Sequence, residues 1–426
     1  MEQNKILIKK VKVIDPLSSY NGKTVDILIE EDIITSIKSL IEDKDAQIFT
    51  AENLCVSPGW FDLRANFCDP GFEEKESIES GANAAIFGGF TGLALSPETQ
   101  PRIDSKSIVE YVYKKAEDLP VNIYPMGAFS KNLNGEELSE MYDMFQAGAI
   151  AFGHGKTCPD NLSILKLALQ YQKDFAGPLH IAPVDSGLAK GGQMHEGEVS
   201  TYLGLKGIPS LAEEISTQNI LHLAEYAETS VHLAGISSKE TLALLKTAQA
   251  NGQEYTADVS LANLCFNDKH LESYDSNYKL MPPLRGEEDR LALIEALNKG
   301  LIHAIASDHY PENVENKMCE FDHSAFGMIS LETFIGALGK ALDGKVSWDK
   351  IIELIALNPR RILGLEIPTI EEGNAAELTF FDPEKEWIFN KKDIQSKSTN
   401  TPFIGKQLKG KALGIFNEGL MVWLDN

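Results

Sequence analysis

Apolar and polar positions alternate along this chain in two registers. Over residues 6–39 the period is two: Ile6-Leu7-Ile8 with Val11 and Val13, then Val25 to Ile29, then Ile33-Ile34 to Ile37, with Asn21-Gly22 as a turn. That period describes β-strands joined by hairpin-like connections. The carboxyl end repeats it at 376–381, 412–416 and 420–423, around an Asn417-Glu418-Gly419 turn. A small sheet needs a second apolar layer. The two chain ends are therefore expected to build one β-sandwich, from residues 1–55 plus 365–426.

Between them, over 56–364, short apolar strands alternate with amphipathic runs. Strands are predicted at 61–66, 92–96, 122–129, 149–152, 179–183, 231–235, 255–260 and 304–307. Helices are predicted between them, for example at 77–87, 136–146, 161–172, 211–229, 238–250, 287–298 and 329–342. Eight repeats imply an α/β fold, a parallel (β/α)8 barrel, in preference to a doubly wound open sheet.

Composition narrows the function. Hydrophobic residues at 43% and charged residues at 24% describe an ordinary globular chain. A formal charge of −24 disfavours nucleic acid and anionic membranes as partners, because both reward basic patches. No signal-like amino terminus and no membrane-length apolar run is present, and five scattered cysteines form no CxxC pair. Free thiols in a reducing cytoplasm are expected.

In a (β/α)8 barrel the reactive groups sit at the carboxyl ends of the strands. The first such end is Pro58-Gly59-Trp60-Phe61-Asp62-Leu63-Arg64-Ala65-Asn66-Phe67-Cys68-Asp69-Pro70-Gly71. Residues two apart on a strand share a face, so Arg64 and Asn66 project together. Further loops at the mouth carry Gly191-Gly192-Gln193-Met194-His195-Glu196-Gly197-Glu198, Pro282-Pro283-Leu284-Arg285, Ser307-Asp308-His309 and Phe326-Gly327. Arg285 could bind an anion or form a structural salt bridge.

With Asp69-Pro70-Gly71-Phe72-Glu73-Glu74, Gly88-Gly89-Phe90-Thr91, Leu203-Gly204-Leu205-Lys206-Gly207-Ile208-Pro209, Asn358-Pro359 and the tail from Ser396 to Phe403, these stretches resemble the dihydroorotases of the cyclic amidohydrolase superfamily over almost the whole chain. The resemblance implies a barrel flanked by a sandwich, metal-assisted opening of a cyclic amide, and a place in pyrimidine synthesis. It also implies one or two zinc ions held by imidazoles and carboxylates, with an aspartate taking the water's proton.

Matched position by position, the apparatus is mostly missing. The first-strand His-x-His pair falls at Arg64 and Asn66, and the substrate-binding arginine at Cys68. The second-strand asparagine falls at Glu98, and the bridging acid near His154. The fifth- and sixth-strand histidines fall at Ala182 and Gly235, and only the catalytic aspartate remains, as Asp308 beside His309. Arginine offers donors only and cannot ligate a metal. His180 and His232 are expected to be core or interface histidines, His232 on the face opposite Gly235 if its strand is regular.

Arg64 is expected to pair with Asp308, since a buried carboxylate without a metal needs a cation. The resemblance then suggests a non-catalytic relative, without a cofactor, that serves a structural or regulatory role with aspartate carbamoyltransferase and forms a homo-oligomer. Two alternatives stand beside it: an active dihydroorotase with zinc in a non-standard site, and a small-molecule sensor using the relict pocket.

Overall fold

The computed structural model describes residues 5–173, 175 and 177–424. Eight parallel strands, Trp60–Ala65, Phe90–Leu95, Asn122–Ala128, Ala151–Gly153, Leu179–Ile181, Val231–Leu233, Tyr255–Ser260 and Ala304–Ala306, pair in sequence order. The ring closes through a parallel bridge between Ala65 and His309, where Asn66 N donates to His309 O at 2.9 Å. This is the predicted (β/α)8 barrel. All six residues of the Trp60–Ala65 strand are buried. Barrel strands are covered on both faces, which is why they read as apolar runs.

The helices differ from expectation in detail. The 136–146 run is helical only over Met141–Gln146, because Ser139 N donates to Phe129 O and Ser139 Oγ to Ala128 O, fastening 136–140 to the preceding strand. The 329–342 run divides into a 3-10 turn, Leu331–Thr333, and the helix Phe334–Ala341. A helix at Lys106–Ala116 adds to those foreseen.

The chain ends form one mixed sheet, ordered Leu420–Trp423, Gln407–Asn417, Leu378–Ile388, Cys55–Pro58, Lys5–Val13, Thr24–Glu30 and Ile33–Lys38, with Gln47–Phe49 also beside Lys5–Val13. Cys55–Pro58 runs straight on into the first barrel strand, so the sheet and the barrel share a seam. Gly59 lies against Thr91 so closely that a Cβ would stand 2.2 Å from its Oγ1. Arg360 closes the seam: Nη1 donates to Gly59 O at 2.6 Å, and Nη2 reaches Thr91 Oγ1 and Glu377.

The tail fastens the loops of the barrel mouth. Ser396 N and Oγ donate to Glu332 Oε1 at 3.0 and 2.7 Å, and Lys397 N to Glu76 Oε1 at 3.2 Å. Asn400 Nδ2 donates to Tyr310 O and Gly327 O, while its Oδ1 accepts from Glu312 N at 3.0 Å. The loops after the first and last strands are thereby held to one strap.

Candidate functional site

A register shift between Asp62 and Ala65 interrupts the alternation of the first barrel strand, and the buried Asp62 accepts from Ser307 N on Oδ1 at 2.8 Å. Burial pushes the Asp62 carboxyl up to about 6. Above it, Arg64 Nε donates to Asp308 Oδ1 at 3.0 Å and Nη1 to Asp258 Oδ2 at 3.1 Å. Burial alone would lower the Arg64 pKa; Asp258 and Asp308 more than reverse this and hold it above its ordinary value.

Both carboxylates have further partners. Lys156 Nζ donates to Asp308 Oδ2 at 3.0 Å and to Met281 O at 3.2 Å, and it lies 4.5 Å above the Tyr310 ring. Asp258 Oδ1 accepts from Gly235 N at 2.8 Å, and its Oδ2 faces His232 Nε2 at 3.0 Å. An ionised Asp258 has no proton to give, so His232 Nε2 is the donor to it, and His232 Nδ1 lies 2.8 Å from Thr256 Oγ1. Burial raises Asp258, but Arg64 and His232 outweigh it and hold the group at about 2. His180 stacks on His232 with ring centroids 4.3 Å apart, and burial keeps it neutral. Among the described residues His180 Nε2 and Arg64 Nη2 are buried without a hydrogen-bond partner.

Four of the sequence-derived positions converge. Arg64, Ala182, Gly235 and Asp308 line one small cavity with Lys156, Gly155, Val184, Ala234, Met281 and Pro282. Its volume of about 10 Å³ has room for roughly one water. A Cβ at Gly235 would lie 3.4 Å from Arg64 Nη2. The guanidinium thus fills space that a side chain at 235 would enter. Glu98 lies in an adjoining open groove of about 410 Å³ with Lys156 and Tyr310, its carboxyl pushed up by burial.

The remaining positions turn elsewhere. Asn66 Oδ1 accepts from Cys68 N at 2.8 Å, which holds the loop rather than facing the cavity. Cys68 is buried with Sγ toward Pro311 O, and burial pushes its thiol well above the ordinary value, so it is no nucleophile. His154 packs on Phe129 and is held by Ser130 Oγ and Thr157 Oγ1, each at 3.1 Å. His309 Nδ1 accepts from Ser330 N at 3.1 Å while Nε2 faces Glu76 Oε2 at 3.6 Å, away from Asp308.

His232 departs from the expected parity. Its strand ends at Leu233 and Gly235 takes φ +78°, so counting alternate residues from 235 back to 232 fails. Arg285 is structural: Nε donates to Ser237 Oγ, Nη1 to Ile208 O and His195 Nδ1, and Nη2 lies 3.6 Å from Glu213.

Asp258 and Lys156 were not foreseen. Asp258 had a signal, since Thr256, Asp258 and Ser260 put three polar groups on one face of the strand. Lys156 had none, because Gly155-Lys156-Thr157 is irregular backbone whose direction no period reveals.

A zinc centre needs lone pairs from several imidazoles or carboxylates. Here the two carboxylates are taken by a guanidinium and an ammonium, and the neighbouring walls at 182 and 235 have no ligating atom. Among the described residues no group of three or more His, Cys, Asp and Glu is placed to hold a metal. The donor set does not fit the ion.

A family model described as Dihydro-orotase-like matches residues 54–241. The dihydroorotase of Acetivibrio thermocellus is 38% identical over 413 residues, spanning 95% of this chain and 96% of that protein. The dihydroorotase of Aquifex aeolicus is 36% identical over 427 residues, spanning 99% and 100%. Among solved structures, the L-hydantoinase of Arthrobacter aurescens superposes with a TM-score of 0.86 at 21% identity, covering 98% of this chain and 96% of that one. The dihydropyrimidinase of Brevibacillus agri gives 0.81 at 18%, covering 98% and 95%. The last two share the fold, while the full-length identity to the first two decides the lineage: this chain belongs to the dihydroorotase family.

Proposed function

We propose that this chain works in pyrimidine biosynthesis as a non-catalytic member of its family, with a structural or regulatory role beside aspartate carbamoyltransferase. One observation carries the reading: Arg64 bridges Asp258 and Asp308, with Lys156 on the far oxygen of Asp308. Asp308 is the position matching the family's proton acceptor, and both of its oxygens already hold cations. A carboxylate so placed is tied to two fixed cations instead of being presented to a substrate water.

Purified protein tests this directly. Elemental analysis should find well under one zinc per chain, and dihydroorotate and carbamoyl aspartate should not interconvert. Stoichiometric metal together with turnover would overturn the reading. Gel filtration with aspartate carbamoyltransferase tests the partner; co-elution is expected, and separate elution would remove that enzyme from the proposal.

A second reading, an active dihydroorotase, is supported by 38% identity across 95% of the chain to a protein of that name. The same assays separate the two readings.

A further inference from the structure

The Lys5–Val13 strand carries four lysines, and the fold treats them in two ways. Lys5 pairs with Glu30 and Asp43, and Lys9 with Asp26. Lys10 and Lys12 are exposed and, among the described residues, form no ion pair. Backbone geometry sets their direction. Ile6, Ile8, Val11 and Val13 share one apolar core although Ile8 and Val11 are three residues apart, because the register against Thr24–Glu30 shifts between them. Lys10 takes φ +52° at this bulge, a conformation uncommon for lysine. A bulge re-aims the side chains of its strand. Lys12 is thereby turned to the face of its ladder partner Cys55, which belongs to the core of the barrel rather than that of the sheet.

On that side the sheet and the Trp348–Ile352 helix enclose a cleft of about 480 Å³, within the range of small-ligand sites. Lys10, Lys12, Asn21 and Trp348 line it, together with Asp349 and Glu384. Both acids are engaged. Asp349 Oδ1 accepts from Asn21 Nδ2 at 2.9 Å, and Glu384 lies 3.2 Å from Lys409 Nζ. Trp348 is half-buried and packs on Phe381 with ring centroids 5.4 Å apart, which steadies the indole. None of Arg64, Lys156, Asp258 and Asp308 lines this cleft, so it is separate from the barrel mouth.

We propose that the cleft is a binding site for a nucleoside monophosphate, its base on Trp348 and its phosphate on Lys10 and Lys12. Two ammonium groups match the charge of one phosphate monoester, roughly −1.5 to −2 at neutral pH. A planar base gives the indole a stacking partner whichever base it is. A nucleic acid strand does not fit, because its further phosphates would run onto the surface of a chain with net charge −24. Inside the cleft the near charges dominate, since screening confines the distant ones to about 8 Å at physiological ionic strength. The site is independent of the chemistry at the mouth.

Titration calorimetry of the full chain with AMP, GMP, CMP and UMP, each to about 1 mM, tests this. At least one should bind within that range. Ribose 5-phosphate, which has no base, should bind more weakly than the best of them by about fivefold or more, as should the best nucleotide to Trp348→Leu. The double variant Lys10→Met, Lys12→Met alters two exposed side chains and should keep its circular dichroism while losing about tenfold or more in affinity. Absence of binding by all four nucleotides, unchanged affinity in the double variant, or ribose 5-phosphate binding as tightly as the best nucleotide would overturn the proposal.

Discussion

Arg64 acts through two bonds that a lysine could not make together, because the flat guanidinium offers separate edges to Asp258 and Asp308. Arg64→Met leaves two buried carboxylates with too little positive charge, and should cost about 3–5 kcal/mol in urea unfolding. The triple variant R64M/D258N/D308N removes the charges together and should recover most of that loss. A triple variant no more stable than R64M would show that shape, rather than charge, is what the arginine supplies. The same cluster sets an acid limb. Asp258 titrates at about 2 in the fold against 3.8 ordinarily, so its stabilisation is whole above about 4 and fades as pH falls through 2. The difference is worth about 2 kcal/mol. Unfolding midpoints measured at pH 5 and pH 3 should fall by less in Asp258→Asn than in the unaltered chain. Asp62 has the opposite sign: raised to about 6, it costs stability at neutral pH and ceases to do so as pH falls toward 4.

The loop after the eighth strand is ordered by buried ammonium groups rather than by secondary structure. Lys317 Nζ donates to Ala325 O at 2.9 Å and Gly327 O at 3.0 Å, and Lys279 Nζ to Phe321 O at 2.7 Å and Asp322 O at 3.2 Å. Burial lowers Lys317 to about 7, with Glu312 pulling the other way. The charged form is therefore disfavoured in the fold: its penalty is complete below about 7 and disappears as pH rises toward 10.5. Hydrogen exchange across 311–328, corrected for intrinsic rates, should show stronger protection at pH 9 than at pH 7. Lys317→Met should flatten that difference, and an unchanged slope would remove Lys317 as its source. Gly235 is an element boundary of another kind. Gly235→Ala would place a methyl group 3.3 Å from Pro282 and 3.4 Å from Arg64 Nη2 on a left-handed backbone. A cost of about 1–2 kcal/mol is expected, read from the same urea titration.

Barrel and sheet are one folding unit at the scale of the molecule, because Arg360 ties Gly59, Thr91 and Glu377 together at their seam. Arg360→Ala strands a largely buried Glu377 and the Gly59 carbonyl, and should cost about 3 kcal/mol while keeping a single cooperative transition. Separate transitions for the two layers would contradict the seam's role. The strap from 395 to 400 has a matching place at the mouth. Its sequence resemblance is explained by what its amides and Asn400 hold, namely Glu332, Glu76 and the loops after the first and last strands.

By itself the sequence determined the periods and therefore the architecture: eight buried strands, covering helices and a sheet shared by both ends follow from spacing alone. Its resemblance to the family, read residue by residue, also marked Arg64, Ala182 and Gly235 as candidate site positions. Tertiary structure alone decided which side chains meet. Asn66, Cys68, His154 and His309 stand at matching places in the chain yet turn to backbone amides, carbonyls, hydroxyls and Glu76. Asp258 and Lys156, from a strand and an irregular loop, meet the cluster instead. The reason is physical. Periodicity reports which face a residue occupies, but the partner of a buried charge is chosen by three-dimensional proximity and by the cost of leaving it unpaired.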